Sequence, residues 1–322
     1  MSFKSKVAGG LSMLVLAGTA LAQSQYPSKH IELIIPYAAG GATDVIGRMV
    51  ASDLHDKLGQ TIVAVNKPGA GTTVAANFVA QAEPDGYTLY MTTAAHTISD
   101  SLYRNLRYKP IEDFAPIHLV AKIPIVLVTG PSFGIKTLAE YIEQAKASER
   151  GFNVGSPGNG SPQHLTQALF QSRTGANFVH IPYRGDAPLI TDLLGGQVGS
   201  AFITLSAALP HIQSGALVAL AVANPTRIEA IKDVPTMTEA GLKDFNAATW
   251  FGLFGPAGID PAIQQQIHTA TKEIASTPEF VQRIESMGGQ VVNLGPEEFS
   301  DYIREEARQW KSAVETSGAQ VD

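Results

Sequence analysis

The feature that most constrains the fold is a repeated succession of a short apolar run, a glycine-rich loop and an amphipathic stretch. The first copy has its apolar run at residues 31–35, its loop at residues 36–41 and its amphipathic stretch at residues 44–58. In that stretch apolar residues recur every three or four positions, and Gly59 follows as a helix-ending residue. Strands alternating with helices in this way are typical of a parallel, doubly wound α/β sheet.

The succession recurs and predicts two α/β lobes. It starts again after Pro124, whereas the helical patterns of the tail differ, so we expect the tail to return to the first lobe. The predicted division is 23–122 plus 245–322 for lobe 1 and 123–244 for lobe 2, with a ligand cleft that a hinge could close. The other predicted strands are residues 61–65, 87–92, 125–128, 152–155, 178–181, 201–203, 217–222 and 249–254, and the other helices are residues 72–82, 138–147, 162–172, 261–276, 278–287 and 296–314.

The N-terminus has the pattern of a secretory signal peptide. Lys4 and Lys6 precede an apolar stretch at residues 7–19, and Ala-Leu-Ala follows at residues 20–22. The apolar stretch is too short for a membrane span and ends in a cleavage motif, so residues 1–22 are predicted to be removed and Gln23 to begin the mature protein. A lipoprotein anchor would need a cysteine there, and the chain has none.

Composition limits the class of the mature protein. Removal of the two signal-peptide lysines changes the formal net charge from −6 to −8 and leaves 300 of the 322 residues. An exported chain without cysteine must be held together by its core, and this length allows that. No second apolar run of membrane-spanning length occurs, and the acidic balance without a Lys/Arg cluster argues against binding of nucleic acid.

Two glycine-rich loops, one in each predicted lobe, precede helices and are candidate anion sites. They cover residues 36–44 and residues 153–161. Small residues let the backbone approach a ligand, and the helix that follows offers free N–H groups. For the first loop, an ordinary strand-to-helix turn with Thr43 or Asp44 as the N-cap explains the pattern equally well. Because each lobe carries one such loop, a ligand cleft between the lobes is favoured.

No motif for a cofactor, a metal ion or a catalytic nucleophile is found. Val74 replaces the third glycine of a dinucleotide fingerprint, and no phosphate-binding G-x-x-x-x-G-K-[ST] loop occurs. Neither Ser156 nor Ser161 lies in a G-x-S-x-G elbow, and no two of the eight histidines are three or four residues apart. We therefore expect no cofactor, no metal and no catalytic residues.

Three further side chains are candidate ligand contacts. His96 and His164 lie in or just after predicted cleft loops, where an imidazole N–H could donate to a carboxylate. Contact within its own lobe alone is an equally good explanation for His164. Arg184 is the loop cation placed to attract an anion, and a surface ion pair is the alternative.

Ordered motifs spread over the whole mature chain resemble one protein family. They are Tyr26-Pro27, the loop at residues 36–44, and the segments 66–71, 84–89, 155–158, 180–185, 192–198 and 234–236. A chain with these elements in this order resembles the Bug family of bacterial extracytoplasmic solute receptors, also called TctC-type receptors of tripartite tricarboxylate transport systems. The resemblance implies a two-lobe periplasmic-binding-protein fold of the Venus-flytrap type (type II), located in the periplasm of a Gram-negative bacterium.

The resemblance also implies where a ligand binds. Such receptors bind carboxylates, among them amino acids, dicarboxylates and aromatic acids, through backbone amides, hydroxyl groups and ordered waters. Together with the three candidates above, the predicted contacts are Tyr37, Ala38, Ala39, Gly40, Gly41, Thr92, Thr93, Ala94, Ala95, His96, Ser156, Gly158, Asn159, Gly160, Ser161, His164, Tyr183, Arg184 and Thr204.

Two departures from the family pattern bear on the ligand. Gly199 and Thr204 stand where the family usually has aspartate. Loss of an acid that faces the cleft would remove a partner for a ligand ammonium, so a dicarboxylate or an aromatic carboxylate is favoured over an amino acid.

The expected partners follow from the same resemblance. They are a small organic carboxylate and either a tripartite tricarboxylate-type permease or a sensor kinase, and we expect the protein to be a monomer. The alternative function is a periplasmic hydrolase or lyase that acts on a small carboxylate with Asp44, His96 or His164, although the motif for such chemistry is missing.

Overall fold

The computed structural model describes residues 26–317. The predicted signal peptide at residues 1–22 and the predicted mature start at Gln23 lie outside this range. Between residues 26 and 317, no helix combines the length and the apolar character needed to cross a bilayer.

Strands and helices alternate through most of the described chain. The strands are β1 (Ile31–Ile35), β2 (Ile62–Asn66), β3 (Thr88–Thr92), β4 (Phe114–Thr129), β5 (Phe152–Ser156), β6 (Phe178–Pro182), β7 (Ser200–Thr204), β8 (Val218–Val222), β9 (Ala248–Pro256) and β10 (Gln290–Leu294). The helices are α1 (Ala42–Leu58), α2 (Thr73–Ala80), α3 (Ala95–Leu102), α4 (Leu138–Ala147), α5 (Pro162–Thr174), α6 (Asp186–Leu194), α7 (Leu205–Gln213), α8 (Pro261–Ala275), α9 (Pro278–Ser286) and α10 (Pro296–Ser317).

The strands form two groups that share the long strand β4. In the first strand group the order is β2-β1-β3-β9-β4-β10, and in the second strand group it is β8-β4-β7-β5-β6. β1, β2 and β3 are mutually parallel, as are β5, β6 and β7, which fits strands linked by helices. β9 and β4 run antiparallel to their neighbours, so the sheet is mixed rather than wholly parallel.

The chain passes between the two groups at two adjacent places. β4 pairs with β9 up to Pro124 and with β7 from Ile125 onward. The returning segment runs beside it, since Ile125 N–H donates to Ala247 O at 3.0 Å. Phe245, just before this crossing, still packs against Phe170 of the second group, with ring centroids 5.9 Å apart. The predicted lobe boundaries after Lys122 and before residue 245 stay a prediction.

Both groups have buried cores on the faces of their strands. Buried aromatic residues such as Tyr90, Phe254 and Phe299 fill one face of the first group. Tyr141 and Phe202 do so in the second group. These cores hold the parallel strands rigidly, so the loops at their carboxyl ends keep fixed positions.

Candidate functional site

The loop after β1 leads into α1, and the acidic residue at this junction, Asp44, is hydrogen-bonded within the protein. The N-cap of α1 is Gly41, not Thr43 or Asp44, the alternative raised by the sequence pattern. The Asp44 carboxylate accepts hydrogen bonds from Gly40 N–H (2.9 Å), Asn66 Nδ2 (2.8 Å) and Arg48 Nε (3.0 Å). Burial tends to raise the pKa of Asp44, but these donors hold it below its usual value. Asp44 is therefore a structural anion, held by donors from the loop, from α1 and from β2.

The same loop contacts the segment that precedes α6 in the second strand group. Ala38 N–H donates to Arg184 O at 2.9 Å, and Ala42 N–H donates to Asp186 Oδ2 at 3.1 Å. A Cβ added at Gly41 would lie 3.4 Å from that same oxygen, so the two segments are in close contact at this position. The amide at the start of α1, which the sequence pattern offers to a ligand anion, is thus taken by the chain's own carboxylate.

A small enclosed cavity lies where the two groups meet. Its free volume of about 10 Å³ is close to that of one water molecule. Tyr37 Oη and Thr93 Oγ1 are 3.0 Å apart, and Gln163 Nε2 donates to Thr204 Oγ1 at 2.7 Å. The lining residues are Tyr37, Thr43, Thr93, Pro157, Gln163, Asp186, Thr204 and Thr249.

A larger groove adjoins the cavity and shares Tyr37 and Pro157 with it. It has a volume of about 210 Å³ and is bounded by loops from both groups. Gly158, Asn159, Tyr183 and Arg184, all predicted contacts, line this groove rather than the cavity. The cavity and the groove both lie between the groups and share these two residues, and together we call them the cleft.

The glycine-rich loop of the second group is tied to two histidines. Ser156 Oγ lies 2.6 Å from His180 Nε2, and the ring of His180 stacks on that of His164 with centroids 3.9 Å apart. Gly160 N–H donates to His164 Nδ1 at 3.3 Å. Burial lowers the pKa of His164 to about 4, and burial together with the neighbouring His164 lowers that of His180 to about 3. Both rings are therefore neutral near pH 7.

Several other predicted contacts have structural partners. Ser161 is 1 % exposed and caps α5, its Oγ accepting from His164 N–H at 3.2 Å. His96 is completely buried against Phe114 and Phe254, and its Nε2 lies 2.6 Å from Pro110 O. Burial lowers the pKa of His96 to about 4, against the opposing effect of that carbonyl. His164 contacts Gly160, Ser161 and His180, which all belong to its own strand group, as the alternative explanation expects.

Some of the remaining predicted contacts lie at the cleft, and others are buried or lie outside it. Arg184 is exposed and forms no salt bridge with any residue between 26 and 317, so its ion-pair alternative is not seen there. Gly40 packs against Ala187, because a Cβ added at Gly40 would lie 3.6 Å from Ala187 Cβ. The buried residues Thr92, Ala94 and Ala95 flank Thr93 without lining the cavity, and Ala39 and Gly160 lie outside both the cavity and the groove.

Five residues of the cavity lining are not among the predicted contacts: Thr43, Pro157, Gln163, Asp186 and Thr249. Asp186 is the first residue of α6, where an acidic side chain is commonly explained by the helix dipole. Its hydrogen-bonding partner Ala42 is 144 positions away, so no local signal reveals the contact. Among the described residues, no cluster of three or more His, Asp or Glu side chains could hold a metal ion.

Comparison with known proteins identifies the fold and the family of this chain. Residues 46–319 match the family model described as tripartite tricarboxylate transporter family receptor, TctC. Protein BugT of Bordetella pertussis is 36 % identical over 298 residues, covering 92 % of this chain and 91 % of BugT. The structure of periplasmic binding protein BugD is 31 % identical with a TM-score of 0.87, covering 92 % of this chain and 99 % of BugD. MatC from Rhodopseudomonas palustris with bound malate is 29 % identical with a TM-score of 0.85, covering 90 % of this chain and 100 % of MatC.

These similarities confirm the predicted α/β periplasmic-binding-protein fold. The family model spans most of the chain, and the agreement with BugT extends along nearly the whole length of both proteins. The chain therefore belongs to the TctC family of periplasmic solute-binding receptors.

Proposed function

We propose that this chain captures a small organic carboxylate in the cleft between its two strand groups. The observation that carries the proposal is that polar side chains of both groups, Tyr37 and Thr93 from one and Gln163 and Thr204 from the other, surround one cavity. A ligand that contacts both groups favours the closed arrangement because it binds that state better than the open one. The malate bound to the related MatC supports a carboxylate.

Local dipoles rather than net charge would provide the affinity. The predicted mature chain carries a formal charge of −8, and Arg184 is the cation in the groove lining. The N–H groups of Gly158 and Gly160 donate to Ser156 Oγ and His164 Nδ1 in this arrangement, and we expect them to exchange these acceptors for the ligand, together with hydroxyl groups of the cleft. Each hydrogen bond to a charged group contributes on the order of 1.5 to 3 kcal/mol. Several of them reach micromolar affinity, about 8 kcal/mol, after association costs.

The proposed ligand class is tested by thermal shift across mono-, di- and aromatic carboxylates. A ligand that binds only the folded state stabilises it by about 2.7 kcal/mol at a concentration 100 times its Kd, which raises Tm measurably. We expect at least one carboxylate to do so, and calorimetry to give a one-to-one complex. If no carboxylate raises Tm while amines or sugars do, the proposal is wrong.

We further propose that the protein is exported and that the mature protein is a monomer. It delivers its ligand to a tripartite tricarboxylate-type permease or to a sensor kinase. The family description supports the first partner. N-terminal sequencing of the periplasmic protein should begin at Gln23. If deletion of the permease abolishes carboxylate uptake in cells that have the receptor and has no effect in cells that lack it, delivery for transport is supported. If a transcriptional response to the carboxylate is lost while uptake stays normal, sensing is supported.

One observation favours the alternative, an enzyme acting on a carboxylate. The 2.6 Å contact between Ser156 Oγ and His180 Nε2 has the spacing of a nucleophile and its base. Ser156, however, is completely buried, and the low pKa of His180, about 3, makes it a weak base. Incubation of the purified protein with carboxylate esters, followed by product analysis, tests this alternative; turnover that Ser156→Ala abolishes would support it.

A further inference from the structure

Asp186 is a buried acid that sequence reasoning did not connect with the cleft. It is 5 % exposed and lines the cavity beside Tyr37 and Thr204. Its Oδ2 accepts the hydrogen bond from Ala42 N–H, whereas its Oδ1 is buried without a hydrogen-bond partner. The backbone amide of Thr204 lies near the same carboxylate without pairing with Oδ1. A buried charged oxygen without a partner costs free energy, so a donor from a ligand would stabilise this site.

The described residues offer no cation for that oxygen. Asp186 forms no salt bridge with any side chain between residues 26 and 317. The hydroxyls of Tyr37 and Thr93 are paired with each other, and the amide of Gln163 donates to Thr204. Thr249 Oγ1 is the other cavity oxygen that is buried without a partner. Asp186 Oδ1, a carboxylate oxygen, can only accept, whereas the threonine and tyrosine hydroxyls around it can donate or accept.

The size of the cavity fits a small donor group. Its free volume of about 10 Å³ matches one water molecule, and an ammonium group is of similar size. The adjoining groove of about 210 Å³ shares Tyr37 and Pro157 with the cavity and can take the rest of a ligand. A carboxylate placed against Asp186 would bring two like charges together in a buried site, which is unfavourable.

We propose that Asp186 is the specificity-determining residue of the cleft and that its free Oδ1 binds the ammonium group of an amino carboxylate. The inference rests on the proposed function, since the ligand's carboxylate is held by the amides and hydroxyls described above. It reverses the preference for a purely anionic ligand, which depended on the absence of acids at Gly199 and Thr204. Asp186 lines the same cavity as Thr204 and supplies the acid from another element.

The ionisation of Asp186 agrees with this role. Burial raises its pKa to about 6, against the lowering effect of the Ala42 hydrogen bond and the nearby Thr204 amide. Tyr37 is the other titratable group in the cavity lining, and burial raises its pKa above the ordinary value, so it stays neutral. Asp186 is therefore mostly ionised above pH 6 and can attract a cation there, and protonation below pH 6 should weaken an ammonium ligand.

The test compares ligands that differ only in the group next to the carboxylate. Calorimetry would use L-aspartate, L-malate and succinate as one series, and L-phenylalanine, 3-phenyllactate and 3-phenylpropanoate as another. We expect the amino member of one series to bind about 100-fold more tightly than its partner without nitrogen. In Asp186→Asn, which keeps an acceptor for Ala42, that preference should fall to within a few-fold. Asp56→Asn on the exposed side of α1 is the control and should keep it.

Each outcome decides the matter. If the hydroxy or unsubstituted acid binds as tightly as the amino acid, or if Asp186→Asn keeps the preference, the role of Asp186 is refuted while carboxylate capture stands. If no member of either series binds, the role of Asp186 is refuted, and the thermal-shift screen across carboxylates decides whether carboxylate capture stands. Should Asp186→Asn not fold, the wild-type protein still provides the answer, since affinity for the amino member must fall as the pH drops below 6. Affinity that rises on acidification means that Asp186 binds as a neutral acid and overturns the proposal.

Discussion

The carboxyl group of Asp186 lies where its protonated form is favoured, because burial raises its pKa from 3.8 to about 6. The stability that this group contributes is full below about pH 4 and is lost as the pH rises through 6. The difference amounts to about 3 kcal/mol. Without ligand, Asp186→Asn should therefore gain stability relative to wild type between pH 4 and pH 7. Urea unfolding of both proteins at the two pH values measures this gain.

Asp56→Asn provides the matched control for that measurement. Asp56 lies exposed on α1, so its replacement should change stability by the same small amount at both pH values. A difference between wild type and Asp186→Asn that does not vary with pH would mean that the Asp186 carboxyl group is solvated in solution.

Substitutions at two residues of the groove distinguish ligand recognition by the backbone from recognition by a charged side chain. Gly158 has φ +152°, and a Cβ there would lie 3.1 Å from Tyr183 O, so Gly158→Val should abolish binding by displacing that backbone. Arg184 is exposed, and Arg184→Ala should weaken binding less than about tenfold, around 1.4 kcal/mol. Calorimetry on both variants, with folding checked by circular dichroism, measures the two effects. The reverse result would show that a side-chain ion pair holds the ligand.

At the scale of elements, α5 depends on its cap. Ser161 Oγ accepts from His164 N–H at 3.2 Å and is buried, so its lone pairs stabilise the helix start. Ser161→Ala should lower the free energy of unfolding by about 1 kcal/mol, while Ser161→Asn, which can also cap, should restore most of it. Urea denaturation measures both. Equal stability of the alanine and asparagine variants would contradict the capping role.

Periodicity predicts most helices with one apolar face, but α6 and α7 are not among the predicted helices although their buried residues follow a helical period. α1 alternates buried and exposed positions, so its pattern was recognisable. In α3 the first five residues from Ala95 are all buried, which removes the period that marks an amphipathic helix. β4 was predicted only from Ile125, because Pro116 and Pro124 interrupt its first part and its pairing with β9 shifts register there.

For the site, the sequence located the loops but not their partners. Both glycine-rich loops precede helices, as the sequence predicts from small residues and a following periodic stretch, and their contact with a ligand stays a prediction. The contact between Asp186 and Ala42 joins distant segments, and only the fold brings them together. Gly40 and Gly41 illustrate the difference: their small size was attributed to a ligand, whereas in the structure the segment containing Asp186 and Ala187 packs against them.

At the scale of the whole molecule, the contacts across the cleft describe a closed arrangement. Ala38 N–H and Ala42 N–H both donate across the boundary, and the enclosed cavity has a volume of about 10 Å³. A carboxylate is larger than this cavity, so we expect the strand groups to separate when a ligand enters. The connections that would bend are the adjacent crossings at Pro124 and Ala247, which is the arrangement of a hinge.

A disulfide across the cleft would test this opening directly. A Cβ added at Gly40 lies 3.6 Å from Ala187 Cβ, within the range of a disulfide, and the chain has no cysteine of its own to interfere. Gly40 has φ +85°, so the cysteine there costs roughly 1 to 2 kcal/mol, which a protein of this size tolerates. We expect oxidised Gly40→Cys/Ala187→Cys to lose ligand binding in calorimetry and to recover it on reduction. The single variants, treated with the same oxidant, should bind in both states. Full binding by the oxidised double variant, with the disulfide verified by mass spectrometry, would show that ligand enters without separation of the strand groups.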